Sequence, residues 1–399
     1  MDSLLFLCHR IPYPPNKGDK IRSYHFLQFL AQHYRVYLGT FIDDPADEQH
    51  RDKVRGYCAD LCAISINPAW RRLLSLRGLV TGEALGLPYY RHSDMRQWVE
   101  CTLRSVNPAR ALVFSSTMAQ YLPPQKMSTL RTVIDFVDVD SEKWRAYASK
   151  KRWPVNLIYQ REANRLLDYE KQLATRAAAS VFVSVAEARL FNSLLDAPLS
   201  SVSHVDNGVD LAYYRADPTL SSPYPTGVPI LVFTGAMDYW ANVDAVTWFA
   251  DTVLPTVRAE NAAAEFWIVG SRPTREVREL GERSGIRVTG AVPDIRPYLQ
   301  HARVVVAPLR IARGIQNKVL EGMAMSKMIV GTTAAFEGIE LQHGAALRVA
   351  DDAMTFAQTC LELLGPEARH VTADSSRHYV ERAHDWQANL QKLRALLET

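Results

Sequence analysis

The sequence predicts an α/β protein of two doubly wound domains, each built on a parallel sheet. Three observations predict it. Short runs rich in Val, Ile, Leu and Phe recur along the chain, and several give way to a turn and then to apolar residues at helical spacing. A strand followed by a glycine-bearing loop opens two separate regions, at residues 4–18 and 230–235. The 399 residues also suit two cores better than one.

Composition narrows the function classes. Hydrophobic residues make up 47% and charged residues 22%, as in ordinary globular proteins. A net charge of +3 is too small to argue for nucleic acid as a partner. The five cysteines, Cys8, Cys58, Cys62, Cys101 and Cys360, form no zinc pattern and are odd in number, which reads as reduced thiols in a cytoplasmic protein. The first apolar run stops at His9-Arg10 after five residues, so no signal peptide is expected, and no run is long enough to span a bilayer.

In the first half, strands are expected at residues 4–8, 36–41, 63–66, 111–114, 132–136 and 180–184, with a helix from about Lys20 and another over 166–178. The first loop carries Gly18, with Asp19 and Arg22 as adjacent polar candidates. Asp135, Asp138 and Asp140 cluster at a strand end, where ligands of α/β domains usually lie. Asp138-Val139-Asp140 also has the form of a metal-binding D-x-D, though three residues carry little weight, and Asp138 equally suits a helix cap or a turn. Two stretches, 68–80 and 149–161, set arginines and lysines beside Trp70 and Trp153. They suit an anionic membrane surface, or two ordinary helices with solvated basic faces.

In the second half, Asn207-Gly208 signals a turn and 221–229 is linker-like. Strands follow at 230–233 and 266–270, and a long helix at 377–397 carries Trp386 and Leu390 as packing residues. The densest signal is 304–332, VVVAPLRIARGIQNKVLEGMAMSKMIVGT. A strand at 304–306 ends at Pro308, residues 310–314 turn, and a second strand lies at 328–330. Between them Val319, Leu320, Met323 and Ala324 fall at helical spacing, with Gln316, Asn317 and Lys318 expected to face outward. A helix N-terminus favours phosphate, and Gly314 lets a ligand approach its backbone. Lys318, Arg310 and Arg313 can add charge. Glu321 lies about 10 Å along the axis from Gly314, in reach of a ribose diol beside that phosphate. An ordinary crossover helix with a surface glutamate would show the same residues.

This stretch resembles the nucleotide-sugar site of GT-B glycosyltransferases, particularly family 4, in which a helix of the form LEAMA carries a ribose-binding Glu. Leu320-Glu321-Gly322-Met323-Ala324 fits that pattern, and Asn207-Gly208-Val209-Asp210 matches the phrase that marks the crossing between the family's domains. Two departures stand out. Arg313 occupies the position of the family's sugar-side Glu, and no Arg or Lys follows Gly235 in residues 236–246. With the N-terminal HRIPYPPNKGDKIRS, the pattern looks most like a bacterial branch tied to exopolysaccharide and exosortase (PEP-CTERM) systems.

The resemblance implies a GT-B fold with two Rossmann-like domains facing a central cleft. Residues 1–205, with a returning helix at 377–399, would form the acceptor side, and 206–376 the donor side. It implies transfer of a sugar from a UDP- or GDP-sugar to a glycan or lipid-linked acceptor, retaining, with no metal and no cofactor. Gly18, Gly235, Val292, Arg310, Gly314, Ile315, Gln316, Asn317 and Glu321 would bind the donor. Asp138, Lys318 and Arg313 are the catalytic candidates, and Asp19, Arg22 and Asp140 the acceptor-side ones. Arg313 would also suit an acidic donor sugar. An epimerase of the same fold and a silent sugar-nucleotide-binding protein are the alternatives, and a peripheral place on the cytoplasmic face of the membrane goes with the basic stretches.

Overall fold

The computed structural model describes residues 1–15, 18–127, 129–149, 152–312, 314–339, 346–365 and 373–399. The chain divides into two compact units, Met1–Asp206 with Gln387–Thr399, and Asn207–Trp386.

The first unit holds a parallel sheet of seven strands. They are β1 (Ser3–Cys8), β2 (Arg35–Ile42), β3 (Asp60–Ser65), β4 (Arg110–Phe114), β5 (Arg131–Val137), β6 (Ala179–Phe182) and β7 (Val202–His204), in the order β3-β2-β1-β4-β5-β6-β7. The central strands β1 and β4 carry continuous apolar runs, residues 4–8 and 111–114, that are wholly buried, as in parallel sheets covered on both faces. The second unit holds six parallel strands, ordered β10-β9-β8-β11-β12-β13. These are β8 (Ile230–Thr234), β9 (Glu265–Val269), β10 (Ile286–Gly290), β11 (Val304–Ala307), β12 (Ile329–Gly331) and β13 (Leu347–Val349). The expected α/β architecture of two doubly wound parallel sheets is the one observed.

Several elements differ from expectation. Strands β7, β10 and β13 are short or half-exposed, so their apolar runs are too weak to read in sequence. The helix expected at 166–178 is the end of a 20-residue helix, Val155–Ala174, that also takes in most of the 149–161 stretch. Residues 221–229 pack as part of the second unit: Tyr224 is buried, stands edge-on to Trp267 and donates its hydroxyl to the Tyr298 carbonyl at 2.7 Å.

The helix expected at 377–397 is two helices, Asp374–Ala383 and Trp386–Glu398, and residues 377–386 fall in the second unit. The break is fixed by packing. Trp386 lies so close over Gly208 that a Cβ there would meet its ring at 2.6 Å. The last helix then lies on the first unit, where Arg131 and Arg110 donate to the carbonyls of Leu396 and Leu397 at 2.9 and 3.1 Å. Those are the helix's orphan acceptors. Leu390, Leu393 and Leu397 are buried beneath it.

Candidate functional site

In the second sheet the strand order reverses between β8 and β11, and ligands of doubly wound sheets bind at the carboxyl ends of such strands. Gly235 follows β8 with φ +155°. Its neighbour on the next strand, Gly270, has φ +156°, and a Cβ there would overlap the Gly235 carbonyl oxygen at 1.7 Å. The two strand-end turns therefore pack backbone against backbone, which only glycine allows.

After β11, the turn leads through Gly314 at φ +66° to the helix Asn317–Ala324. Gly314 N–H donates to Glu337 Oε2 at 3.2 Å, which holds the turn against the loop after β12. Gln316 stands at the cap position in an extended conformation but makes no cap hydrogen bond to the helix; its side-chain amide donates to the Gly314 carbonyl at 3.0 Å instead. The helix thus starts with its amide dipoles unopposed by a capping side chain. The Ile315 side chain is buried in the core and the Val292 side chain packs against it, so both present only backbone groups to a donor. Asn317 Oδ1 accepts from Asn207 at 3.4 Å.

Lys318 does not face outward as its helical position suggested. Its ammonium donates to Asn242 Oδ1 at 2.7 Å and lies 4.8 Å from the centroid of the Phe233 ring. Asn242 is itself buried and donates through Nδ2 to the Ala236 carbonyl at 2.8 Å. A Cβ at Gly235 would reach Asn242 Nδ2 at 2.8 Å and Lys318 Cε at 3.5 Å, so cation, amide and strand-end turn form one packed cluster. Burial lowers the Lys318 pKa to about 8, against the opposing pull of Glu321.

One turn on, the Tyr214 hydroxyl stands near the Glu321 carboxylate. Burial pushes the Glu321 carboxyl up, and the Tyr214 hydroxyl and the Lys318 charge pull it partly back. Tyr214 is placed by Arg377, whose guanidinium donates to the Tyr214 carbonyl at 2.8 Å and also to the carbonyl of Ala324 at the end of the Glu321 helix. An ammonium at a helix start and a carboxylate three residues later suit a diphosphate and an adjoining diol.

Residues 228–365 match a family model described as glycosyl transferases group 1. The second unit carries a glycosyltransferase group 1 domain. No curated protein matches the sequence. Over its whole length the chain is similar to solved structures at low identity. Sucrose-phosphate synthase (tll1590) from Thermosynechococcus elongatus has a TM-score of 0.73 at 14% identity, covering 99% of this chain and 98% of its own. Alr3699/HepE from Anabaena, solved in complex with UDP and glucose, has 0.69 at 14%, covering 100% and 99%. WaaG, a glycosyltransferase involved in lipopolysaccharide biosynthesis, has 0.67 at 16%, covering 99% of each chain. These likenesses identify the fold as GT-B.

Within the glycosyltransferase domain, Arg310 is engaged by a carboxylate rather than by Asn242 or Lys318. It pairs with Asp244 through two nitrogens and lies over Trp248, both on the helix Trp240–Trp248. Arg313 lies outside the described residues. Sequence reasoning missed Asn242, Phe233, Tyr214 and Arg377. Their only local signals are a polar residue in the first turn of the helix after Gly235 and a tyrosine four positions after Asp210.

In the first unit, Arg22 is not offered to a ligand. It is wholly buried, with Nε and Nη2 at 2.9 and 2.8 Å from Asp135 Oδ2 and Nη1 donating to the Val205 carbonyl at 2.7 Å. Gly18 and Asp19 open the helix Gly18–His33. Burial would raise the Asp19 pKa, but the His9 hydrogen bond and the Arg10 charge, 2.7 Å away, overcome it and hold the carboxyl well below the usual range. Asp138 and Asp140 both turn to Lys143 Nζ, at 2.6 and 3.0 Å. Burial alone would lower the Lys143 pKa, and the two carboxylates push it well above the usual lysine value. The D-x-D pair thus orders the start of the helix Asp140–Ala148.

Proposed function

We propose that this enzyme transfers a sugar from a UDP- or GDP-linked donor to a glycan or lipid-linked acceptor in polysaccharide assembly, with retention of anomeric configuration. The observation that carries the proposal is that Lys318 and Glu321 share one half-buried face of the helix Asn317–Ala324, with Lys318 packed beside the strand-end Gly235. The HepE structure with UDP and glucose supports the donor class, and the involvement of WaaG in lipopolysaccharide biosynthesis supports a lipid-linked acceptor.

The leaving group is a nucleoside diphosphate, on which negative charge grows as the bond to the sugar breaks. Lys318 and the helix amides meet that charge in the place a metal would otherwise take. Asn242 keeps the ammonium aimed without neutralising it, and Glu321 with Tyr214 holds the ribose. In a retaining reaction the donor phosphate helps deprotonate the acceptor, so no protein base is needed.

Incubation with a panel of UDP- and GDP-sugars, with and without EDTA, tests the proposal through slow release of nucleoside diphosphate. Release from one donor class, unchanged by EDTA, is expected. A donor recovered intact with altered sugar stereochemistry would identify an epimerase, and no turnover with any donor would favour a silent binding protein.

A further inference from the structure

Nine of the fifteen exposed large hydrophobic side chains among the described residues come from two short stretches of the first unit. One is the helix pair Pro68–Ser75 and Arg77–Thr81; the other is Trp153 with the first turns of Val155–Ala174. In sequence they lie far apart. In the structure they are joined. The Arg161 guanidinium donates to the carbonyls of Gly78 and Glu83, and the Glu162 carboxylate accepts from the Leu85 amide at 2.7 and 2.9 Å. Leu157 and Ile158 precede Arg161 by one helical turn, so they lie on the side of their helix that meets Arg77–Thr81.

The surface has a consistent chemistry. Trp153 is 77% exposed, Trp70 58%, Leu73 57% and Val80 91%. Exposure on this scale is costly in water and marks a surface that is covered in use. Around these side chains stand Arg72, Arg77 and Arg152, all exposed, and neither 68–80 nor 149–161 contains an acidic residue. Two indoles, short aliphatic side chains and an arginine rim match the boundary layer of a bilayer, in which apolar groups enter and guanidinium groups stay with the headgroups. A second copy of this chain fits less well, because a two-fold contact would set the arginines of one copy against those of the other.

We propose that this composite surface docks the protein on an anionic lipid bilayer. It goes beyond the sugar-transfer reading and does not rest on it. The test uses the full chain with phosphatidylcholine vesicles, with and without phosphatidylglycerol, followed by co-sedimentation and tryptophan fluorescence. Thermal unfolding by circular dichroism checks that each variant is folded. Expected are binding only to vesicles containing phosphatidylglycerol, release by high salt, and a shift of emission to shorter wavelength. The variant Arg72→Gln/Arg77→Gln should lose roughly 30-fold in partitioning. Trp70→Ser/Trp153→Ser should lose both binding and the emission shift. Absence of binding to phosphatidylglycerol vesicles at low salt would overturn the proposal, as would binding that both variants retain. A dimer in free solution, abolished by Trp70→Ser/Trp153→Ser and with no vesicle binding, would overturn it in favour of a second copy.

Discussion

The Lys318 ammonium is held 2.7 Å from the side-chain oxygen of Asn242, a neutral partner, with no carboxylate in direct contact among the described residues. A salt-bridged lysine would have spent its charge on its partner. This one keeps it, and the strand-end turn of Gly235 is packed against both groups. In the proposed site, Lys318 of the helix after β11 stands in for the cation that the loop after β8 lacks.

Lys318→Ala is therefore expected to lower kcat by roughly 100-fold while raising the donor KM much less, because the charge acts mainly on the leaving diphosphate. Single-turnover and steady-state kinetics check this. A near-normal kcat would move the role to Arg310 or Arg313.

The pH dependence follows from the same pair. The folded-state pKa of Lys318 lies near 8, below the ordinary lysine value, so the ammonium is charged below that pH and is lost as pH rises through it. Thus kcat/KM should fall above about pH 8. Asn242→Asp places a carboxylate against the ammonium, and the falling limb should move to higher pH. A limb unchanged in that variant would show that Lys318 does not set it.

Glu321→Ala is expected to weaken nucleoside diphosphate binding by about 1–3 kcal/mol, the usual loss for a charged hydrogen bond. Tyr214→Phe, which leaves the carboxylate in place but frees it to turn, should cost less, about 1 kcal/mol. Calorimetric titration with UDP and GDP measures both.

Arg22 anchors the first unit. Arg22→Ala leaves Asp135 buried without its partner and should destabilise the protein by about 3–5 kcal/mol in urea unfolding, while an apolar pair at both positions should recover most of that. Normal stability in the single variant would contradict the burial argument.

Asp138 already pairs with Lys143, so Asp138→Asn should change kcat less than about tenfold if the donor phosphate takes the acceptor proton. NMR of the product should show the retained anomeric linkage.

The strands that build the two sheets were legible because a strand covered on both faces must be a continuous apolar run, as at residues 4–8, 230–233 and 304–306. The helix after β11 was legible from the helical spacing of Val319, Leu320 and Met323, which puts one face in the core. The partners were not. Lys318 was expected to face outward because periodicity sees only its own helix, whereas its place depends on Phe233 and Asn242, far earlier in the chain. Arg22 looked like a loop-side polar group because its partner Asp135 is 113 residues away. Local patterns report which face of an element is buried; they do not report which polar groups meet there.

Calorimetric titration of wild type and the Lys318→Ala/Glu321→Ala double variant with UDP and with GDP tests the nucleotide site at Lys318 and Glu321 directly. The wild type is expected to bind one of the two nucleotides at one site per chain, and the folded double variant to lose most of that affinity. Equal affinity in both proteins, or no binding of either nucleotide to the wild type, would contradict that assignment.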